Sequence, residues 1–198
     1  HIAADGWSFG VLSRELSHLY GALRNGENPS LPLLRAAYAD FQQAERTDAF
    51  QRIIAKDLEY WKESLSGMPP AVRLPIERSR PTSRSDAGGR VPVSITRQQF
   101  QGLLELAGVS GASPFAALAA LISVLLLRHG ADEDVVFGTV VANRDETGWD
   151  DLIGYFANLV PIRLRASGNP SFLELLDRSR RATLSALDHR RIPFDLLV

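Results

Sequence analysis

A change of composition between Ser66 and Arg90 most constrains the folds open to this chain. Before it, apolar residues recur at helical spacing, whereas after it β-branched runs alternate with helical runs. The stretch itself carries four prolines and a glycine pair, a composition typical of an extended connector. The sequence therefore predicts a helical part at 1–66, a connector at 67–89 and a second part at 90–198.

The spacing of apolar residues predicts the elements on either side of this connector. The first part should contain an amphipathic helix from about Ser8 to Arg24 and a longer helical stretch from about Leu34 to Leu65. The second part alternates strands and helices, which predicts an α/β layered arrangement. Its predicted strands are 90–95, 134–142 and 158–165, and its predicted helices are 96–108, 114–127 and 170–190, the last with Phe172, Leu175, Leu176, Leu184 and Leu187 facing the core.

The most apolar run, from Pro114 to Leu127, raises the question of a membrane span. It has 14 residues, whereas a helix needs ~20 to cross a bilayer. Ser113 is placed to cap a first turn that begins with Pro114, and Arg128 follows at the end where the helix dipole favours cations. The run therefore predicts a buried helix and no membrane partner.

Charge and composition exclude further classes of function. Lys and Arg number 22 against 23 Asp and Glu, so no net positive field favours nucleic acid. The absence of cysteine excludes disulfides, thiolate metal sites and a cysteine nucleophile, and it favours a cytoplasmic location. The four histidines are scattered, and we expect no metal site. Because no initiator methionine is present, we expect the chain to begin inside a longer polypeptide.

His1 opens the pattern His-x-x-x-Asp-Gly-Trp-Ser, which runs directly into the first predicted helix. Taken alone, Asp5-Gly6 is an ordinary turn dipeptide and a lone terminal histidine is usually a surface residue. With its neighbours, however, the pattern resembles the HHxxxDG signature of nonribosomal peptide synthetase condensation domains, from its second histidine onward. Five further blocks carry the same resemblance in the family's order: YADFQQ, LPIERSRP, GTVVANR, LIGYFANLVPIRL and HRRIPFDLLV.

The chain departs from the family's pattern at several positions. The first histidine of the doublet is absent, and Glu77 and Ser79 stand where the connector block has Asp and Pro. Val140 replaces a proline, and Arg190–Arg191 replaces Gln-Asp in the last block. None of these is a residue from which the family's chemistry is inferred. The resemblance covers the central and C-terminal part of the domain, truncated at both ends.

This resemblance implies a fold and a reaction. The expected fold is the α/β, chloramphenicol acetyltransferase-like two-lobed sandwich, with 1–66 as the end of the first lobe and 90–198 as most of the second. Upstream and downstream peptidyl carrier domains would deliver phosphopantetheine thioesters, with an adenylation domain adjacent in the same polypeptide and no cofactor bound directly. The amine of the downstream aminoacyl thioester would attack the upstream acyl thioester and form a peptide bond.

By the same resemblance, His1, Asp5 and Gly6 are the catalytic motif residues. An α-amine has a pKa near ~8, so roughly a tenth is already free base at neutral pH. An imidazole can take the proton released during attack, or it can hold the amine in line, and both roles for His1 stay open. Asp5 would pair with Arg144, as a partner from the opposite lobe, to fix the loop. The N–H of Gly6 could help to hold the oxyanion, although a plain turn glycine is an equal alternative.

Four other side chains are candidates for the substrate or pantetheine channel: Trp7, Ser8, Tyr155 and Asn158. Core packing for the aromatic residues and a satisfied polar group for Asn158 are the alternatives. The same fold would also serve a non-catalytic carrier-docking scaffold, an epimerization domain or a coenzyme A-type acyltransferase. The DGWSFGVL continuation favours the condensation type over the epimerization type. We also expect an isolated chain of this length to expose apolar surface and to be poorly soluble.

Overall fold

A computed structural model describes residues 1–70, 83, 88–130, 132–144 and 148–198. The helices described are α1 Gly6–Arg24, α2 Tyr38–Glu45, α3 Asp48–Leu65, α4 Arg97–Val109, α5 Pro114–Arg128 and α6 Phe172–Asp188, and the strands are β1 Asp134–Val141 and β2 Asn158–Arg165. A 3₁₀ turn, Phe194–Leu196, follows α6. Most of the predicted connector, including the block LPIERSRP with Glu77 and Ser79, lies outside the described residues.

The long helical stretch predicted from Leu34 to Leu65 is wrong as one element, because the structure divides it into α2 and α3. The break lies at Arg46 and Thr47. The Thr47 hydroxyl accepts a hydrogen bond from the Phe50 amide, which caps the start of a new helix, and Gln51 donates its side-chain amide to the Glu45 carbonyl at the end of the old one. A capping residue inside an otherwise periodic pattern therefore ends one helix and begins the next.

The helix starts predicted for α4 and α5 are confirmed. Thr96 and Gln99 form a reciprocal capping box at α4, and the Ser113 hydroxyl accepts from the Ala116 amide at α5. α5 buries its small residues Ala116, Ala117, Ala119, Ala120 and Ser123. Within the described ranges, no single helix is long and apolar enough to cross a membrane, although α4 and α5 taken together are, with a bend of 109° between them.

The strand predicted at Arg90–Ile95 is wrong, since these residues carry no regular structure. Val91 and Val93 are 87% and 85% exposed. β-Branched residues favour a strand only when a neighbouring strand supplies hydrogen bonds and a surface to pack on. No strand pairs with this segment among the residues described, and its side chains are exposed to solvent.

β1 and β2, which match two of the predicted strands, pair with each other in a two-stranded sheet. The Ala166 amide donates to the Glu133 carbonyl at 2.7 Å, while a Cβ built on Gly138 would lie 3.2 Å from the Leu159 side chain. Residues therefore oppose each other in antiparallel order. Across the pair, the Arg163 guanidinium binds the Asp134 carboxylate, so opposite charges reinforce the register.

The chain divides into two compact units: unit 1 contains 1–64, 138–160 and 187–198, and unit 2 contains 65–137 and 161–186. Unit 1 has an aromatic core in which Phe41, Trp149, Leu152 and Phe156 pack with Tyr38. Unit 2 packs α4 and α5 against α6, with the core residues Leu103, Ala107, Ala117, Ala120, Ala166, Leu175 and Leu176. The boundaries predicted from composition at 1–66, 67–89 and 90–198 differ from this division and stay a prediction.

Two helices bury a different face from the one that their largest apolar residues suggest. In α6, Leu175 and Leu176 are buried as predicted, but Leu184 is 50% exposed, which corrects its placement in the core. Ser179 takes an inward position instead and donates its hydroxyl to the Ala116 carbonyl at 2.7 Å. In α1, the buried residues are Ser8, Val11 and Ala22, whereas Phe9, Leu16 and Leu23 are exposed.

Candidate active site

Asp5 stands at the N-terminus of α1 and organises the start of that helix. Its carboxylate is 2% exposed and accepts five hydrogen bonds. Oδ1 accepts from the Ser8 amide at 2.9 Å, from the Ser8 hydroxyl at 2.8 Å and from Arg144 at 3.1 Å. Oδ2 accepts from the amides of Phe156 and Ala157 at 3.0 and 3.2 Å. One carboxylate is therefore at once a helix cap, an ion-pair partner and an anchor for a second segment of chain.

Arg144 reaches Asp5 from the far end of β1 and is itself buried, with 9% of its surface exposed. Its Nη1 donates to the carbonyls of Trp149 and Leu152 at 2.5 and 2.8 Å, and its guanidinium lies 4.0 Å from the centroid of the Phe156 ring. A planar guanidinium can make all of these contacts together, whereas an ammonium cannot. The ion pair expected between Asp5 and Arg144 is thus present, inside unit 1.

The backbone places this arginine through a residue in the left-handed region. Asn143 has a φ of 52°, a conformation that asparagine tolerates better than most residues. It follows the last residues of β1 and directly precedes Arg144. The left-handed residue therefore changes the direction of the chain just after β1, where the buried Arg144 side chain begins.

Ser8 connects the components of this cluster. Its single hydroxyl proton is shared between two acceptors, Asp5 Oδ1 and the Gly154 carbonyl, each 2.8 Å from Oγ. The same oxygen accepts from Arg144 at 3.0 Å and from the Gly154 amide at 3.1 Å. The residue is 1% exposed. Its hydroxyl is therefore committed to protein groups. The name Asp5 cluster is used below for Asp5 and the residues bound to it or to Ser8: Ser8, Arg144, Gly154, Phe156 and Ala157.

Gly154 is required by the closeness of a neighbouring ring. A Cβ built on this residue would lie 2.4 Å from Cδ2 of Tyr38, which is far too short for a non-bonded contact between carbon atoms. The Tyr38 hydroxyl donates to the Tyr155 carbonyl at 2.7 Å, and its ring packs edge-on against Phe156. The segment that carries the amides of the Asp5 cluster is therefore held against α2 by a tyrosine packed directly over a glycine.

The remaining candidates lie at the surface of unit 1. His1 is exposed, and its ring is 6.2 Å from the Tyr155 ring in an edge-on arrangement. Trp7 is 50% exposed and donates its indole N–H to the Asp150 carbonyl at 2.9 Å, while Tyr155 is 44% exposed. Apart from its two chain neighbours and the backbone of its own helix, nothing lies within 4 Å of a Cβ built on Gly6. The aromatic side chains and the space beside Gly6 are thus accessible from solvent.

Asn158, by contrast, is half-buried and binds the protein. Its Nδ2 donates to the carbonyls of Arg190 and Ile192 at 2.8 and 2.7 Å. This arrangement is the satisfied polar group that the sequence left open as an alternative. In the part of the chain that the structure describes, no group of three or more His, Asp or Glu side chains could hold a metal ion.

The acid–base properties of the cluster follow from its contacts. Burial would raise the pKa of Asp5, but the hydrogen bonds from Ser8 and Phe156 and the charge of Arg144 outweigh it, and the pKa falls from an ordinary 3.8 to about 2. The carboxylate is therefore ionised at neutral pH. With all of its hydrogen bonds made, it is equipped to hold geometry and not to transfer a proton.

The depressed pKa predicts how stability depends on pH. Because the folded pKa lies below the unfolded value, the contribution of Asp5 is fully present above about pH 4 and is lost as the pH falls from about 4 to about 2, a change of about 2 kcal/mol. The free energy of unfolding should be measured by denaturant titration between pH 2 and pH 5. In Asp5→Asn the slope over this range should be smaller, and an unchanged slope would contradict the assignment.

Comparison with known proteins identifies the class. The family model described as Condensation domain matches residues 1–198. This chain therefore belongs to the condensation domain family. Phosphinothricin tripeptide synthetase PhsC of Streptomyces viridochromogenes is 37% identical over 198 residues, and the match covers 100% of this chain but 18% of that protein. The chain thus spans a small fraction of the length of such a synthetase.

Solved structures agree with this assignment. The X-domain from teicoplanin biosynthesis is 31% identical with a TM-score of 0.84, over 98% of this chain and 45% of that one. The first condensation domain of the CDA synthetase is 25% identical with a TM-score of 0.75, over 98% of this chain and 43% of that one. The predicted fold class, the α/β chloramphenicol acetyltransferase-like fold of condensation domains, is confirmed. The family forms amide bonds in nonribosomal peptide synthetases from phosphopantetheine-borne substrates, although some members are non-catalytic.

Sequence reasoning missed several parts of the Asp5 cluster. It assigned Ser8 to a channel, and it named neither Gly154 nor Phe156. A serine three residues after an Asp that begins a helix is a capping signal, because its amide lies where the carboxylate can accept from it. No comparable local signal exists for Gly154 or Phe156, whose partners lie more than 100 residues away in sequence.

Proposed function

We propose that this chain supplies the active-site histidine segment of a condensation domain that joins two carrier-bound thioesters. The amine nitrogen of the downstream aminoacyl group attacks the carbonyl carbon of the upstream thioester. The C–N bond forms, the C–S bond breaks, and the proton lost by the amine ends on the departing sulfur. The observation that carries this proposal is the Asp5 cluster, which fixes the backbone where the His1–Gly6 segment enters α1. This segment belongs to a member of the condensation domain family.

His1 is the group that handles this proton or holds the amine in line. It is exposed, and imidazole accepts protons near neutral pH. Asp5 does not compete for the role, because its pKa of about 2 keeps it ionised and its oxygens are occupied. Asp5 and Arg144 are therefore positioning residues for the loop, as the resemblance implies.

Gly6 faces the substrate in this proposal. The space beside its Cα is open, and the amides of the first turn of a helix point toward that end. A thioester carbonyl placed there would receive an N–H donor as its oxygen becomes negative. Trp7 and Tyr155 are exposed enough to line the approach of a pantetheine arm. Ser8 and Asn158 support the site through their hydrogen bonds to protein.

A matched pair of glycine variants tests this placement. Gly6→Ala should fold normally and lower the turnover number of amide formation by about 10²-fold, because a methyl group displaces the thioester from its position. Gly10→Ala, also on α1 with open space beside it, should leave the turnover number within about 2-fold while strengthening the helix. Dipeptidyl product from loaded carriers should be measured by mass spectrometry. Equal turnover in the two variants would show that no substrate group lies beside Gly6.

A non-catalytic docking scaffold is the second candidate. The observation that favours it is the likeness to the X-domain from teicoplanin biosynthesis, at 31% identity and a TM-score of 0.84. Upstream and downstream carrier domains and an adenylation domain are the proposed partners in either case. The two candidates differ in product: an enzyme forms dipeptidyl thioester from loaded carriers, whereas a scaffold binds the carriers and leaves both thioesters unchanged.

A further inference from the structure

A second buried aspartate lies in unit 1, outside the Asp5 cluster, and it is paired with a half-buried histidine. Asp57 on α3 accepts a hydrogen bond from Nδ1 of His189, which follows α6, at 2.8 Å. Asp57 is 2% exposed, and the imidazole stacks on the Tyr60 ring with 3.8 Å between centroids and 12° between planes. The two residues are 132 positions apart in sequence. Nothing in the proposed reaction uses either of them.

The Asp57–His189 pair is not well suited to stabilising the folded state. The Oδ2 atom of Asp57 is buried without a hydrogen-bond partner in the described part of the chain. A buried carboxylate with an unsatisfied oxygen costs free energy, and a well-packed apolar pair would stabilise α3 as well or better. Asp5, with five hydrogen bonds, shows how the same chain satisfies a carboxylate fully. The Asp57–His189 pair therefore requires an explanation in terms of the geometry that it fixes.

What it fixes is the segment 189–192. The Trp61 indole donates to the His189 carbonyl at 2.8 Å, so α3 holds both the side chain and the backbone of this residue. One residue later, the Arg190 carbonyl accepts from Asn158, and the Ile192 carbonyl accepts from the same amide group. The segment is thus bound on one side by α3 and on the other by the first residue of β2.

Asn158 continues directly into the Asp5 cluster. The preceding two residues, Phe156 and Ala157, donate the amides that bind Oδ2 of Asp5. A continuous series of hydrogen bonds and peptide units therefore runs from Asp57 through His189, the 189–192 segment and Asn158 to Asp5. We propose that Asp57 and His189 are a positioning pair that sets Asn158, and through it the two amides that orient Asp5 beside the active-site segment. The inference rests on the proposed function, which supplies its kinetic readout.

Variants at His189 separate positioning from simple loss of packing. His189→Leu in the full-length protein removes the donor and should lower the turnover number for dipeptidyl transfer by about 10-fold at a temperature where the protein stays folded. His189→Asn keeps a donor near the position of Nδ1 and should restore turnover to within about 2-fold of the original. Loss of turnover in both variants alike would overturn the role of the hydrogen bond.

A double-mutant cycle with Asn158 tests the route. In an Asn158→Ala background, His189→Leu should change turnover by less than about 2-fold, because the link to the Asp5 cluster is already broken, while its effect on melting temperature persists. Additive losses of turnover would show that His189 does not act through Asn158 and would overturn the proposed route. If His189→Leu does not fold, Asp57→Leu, which removes the acceptor of Nδ1 together with the unsatisfied Oδ2, takes its place in the same cycle.

Hydrogen exchange supplies a readout that does not depend on catalysis. In His189→Leu, the amides of peptides covering 153–158 should exchange about 10-fold faster than in the original protein, and in His189→Asn they should be protected as before. Unchanged exchange in both variants overturns the inference. If exchange responds as expected but the original protein forms no product, the positioning pair stands and the proposed amide-forming function fails.

Discussion

Replacing His1 by alanine is expected to slow dipeptidyl transfer from loaded carriers by about 10²- to 10⁴-fold, the usual contribution of a general base. Carrier binding should persist, since the Asp5 cluster and the fold of unit 1 do not depend on the imidazole. His18→Ala is the matched control, because this exposed histidine on α1 is hydrogen-bonded to the Ser30 carbonyl, away from the Asp5 cluster, and its loss should leave transfer within about 2-fold.

The pH profile of the same variants distinguishes the two roles left open for His1. If the imidazole is a base, the dependence of turnover on its deprotonation disappears in His1→Ala; if it positions the amine, the profile keeps its shape and only its height falls. Transfer that is unchanged in His1→Ala would reject the enzyme and favour the docking scaffold.

Replacing Arg144 by alanine is expected to lower the free energy of unfolding by about 3–5 kcal/mol, because it leaves the Asp5 carboxylate buried without its cation. Activity should fall with stability, since the same change frees the carbonyls of Trp149 and Leu152 and removes the contact over Phe156. Thermal and denaturant unfolding of the full-length protein measure the loss.

Arg14 supplies the control for this experiment. It also pairs with an aspartate, Asp151, at 2.9 Å, but the two side chains are 62% and 68% exposed. Arg14→Ala should therefore change stability by about 1 kcal/mol or less. Arg144→Lys should behave like the alanine variant, because an ammonium cannot reproduce the fork of donors. A melting temperature that does not move in Arg144→Ala, with activity lost, would contradict the structural role of the pair with Asp5.

Local signals were sufficient to predict much of the fold. Thr96 and Ser113 cap their helices, because each hydroxyl accepts from the free backbone amide three residues later. Pro114 fits the first turn, where no amide donor is needed. Because Asp5 caps α1 in the same way, the helix begins at Gly6, two residues before the predicted start at Ser8. Such interactions lie within three or four residues, so the sequence displays them directly.

Features that depend on distant partners were not predictable in this way. The 90–95 segment alternates β-branched and other residues as a strand does. Whether it forms a strand depends on an adjacent strand, which a local pattern does not indicate. The contact of Tyr38 with Gly154 and the pair of Asp57 with His189 each join residues more than 100 positions apart. The resemblance to a family located the Asp5–Arg144 pair, but it gave no reason to expect Ser8 at its centre.

The multiple attachments of Asp5 bear on any attempt to exchange parts between synthetases. A graft of the His1–Ser8 stretch alone would place a foreign serine and aspartate against the resident Arg144 and the 154–157 backbone, whose donors are spaced for the original pair. We therefore expect that 1–8 and 144–157 must be exchanged together, although they lie far apart in the sequence. Chimeric enzymes whose crossover points fall between them should lose this fit even when every signature residue is kept.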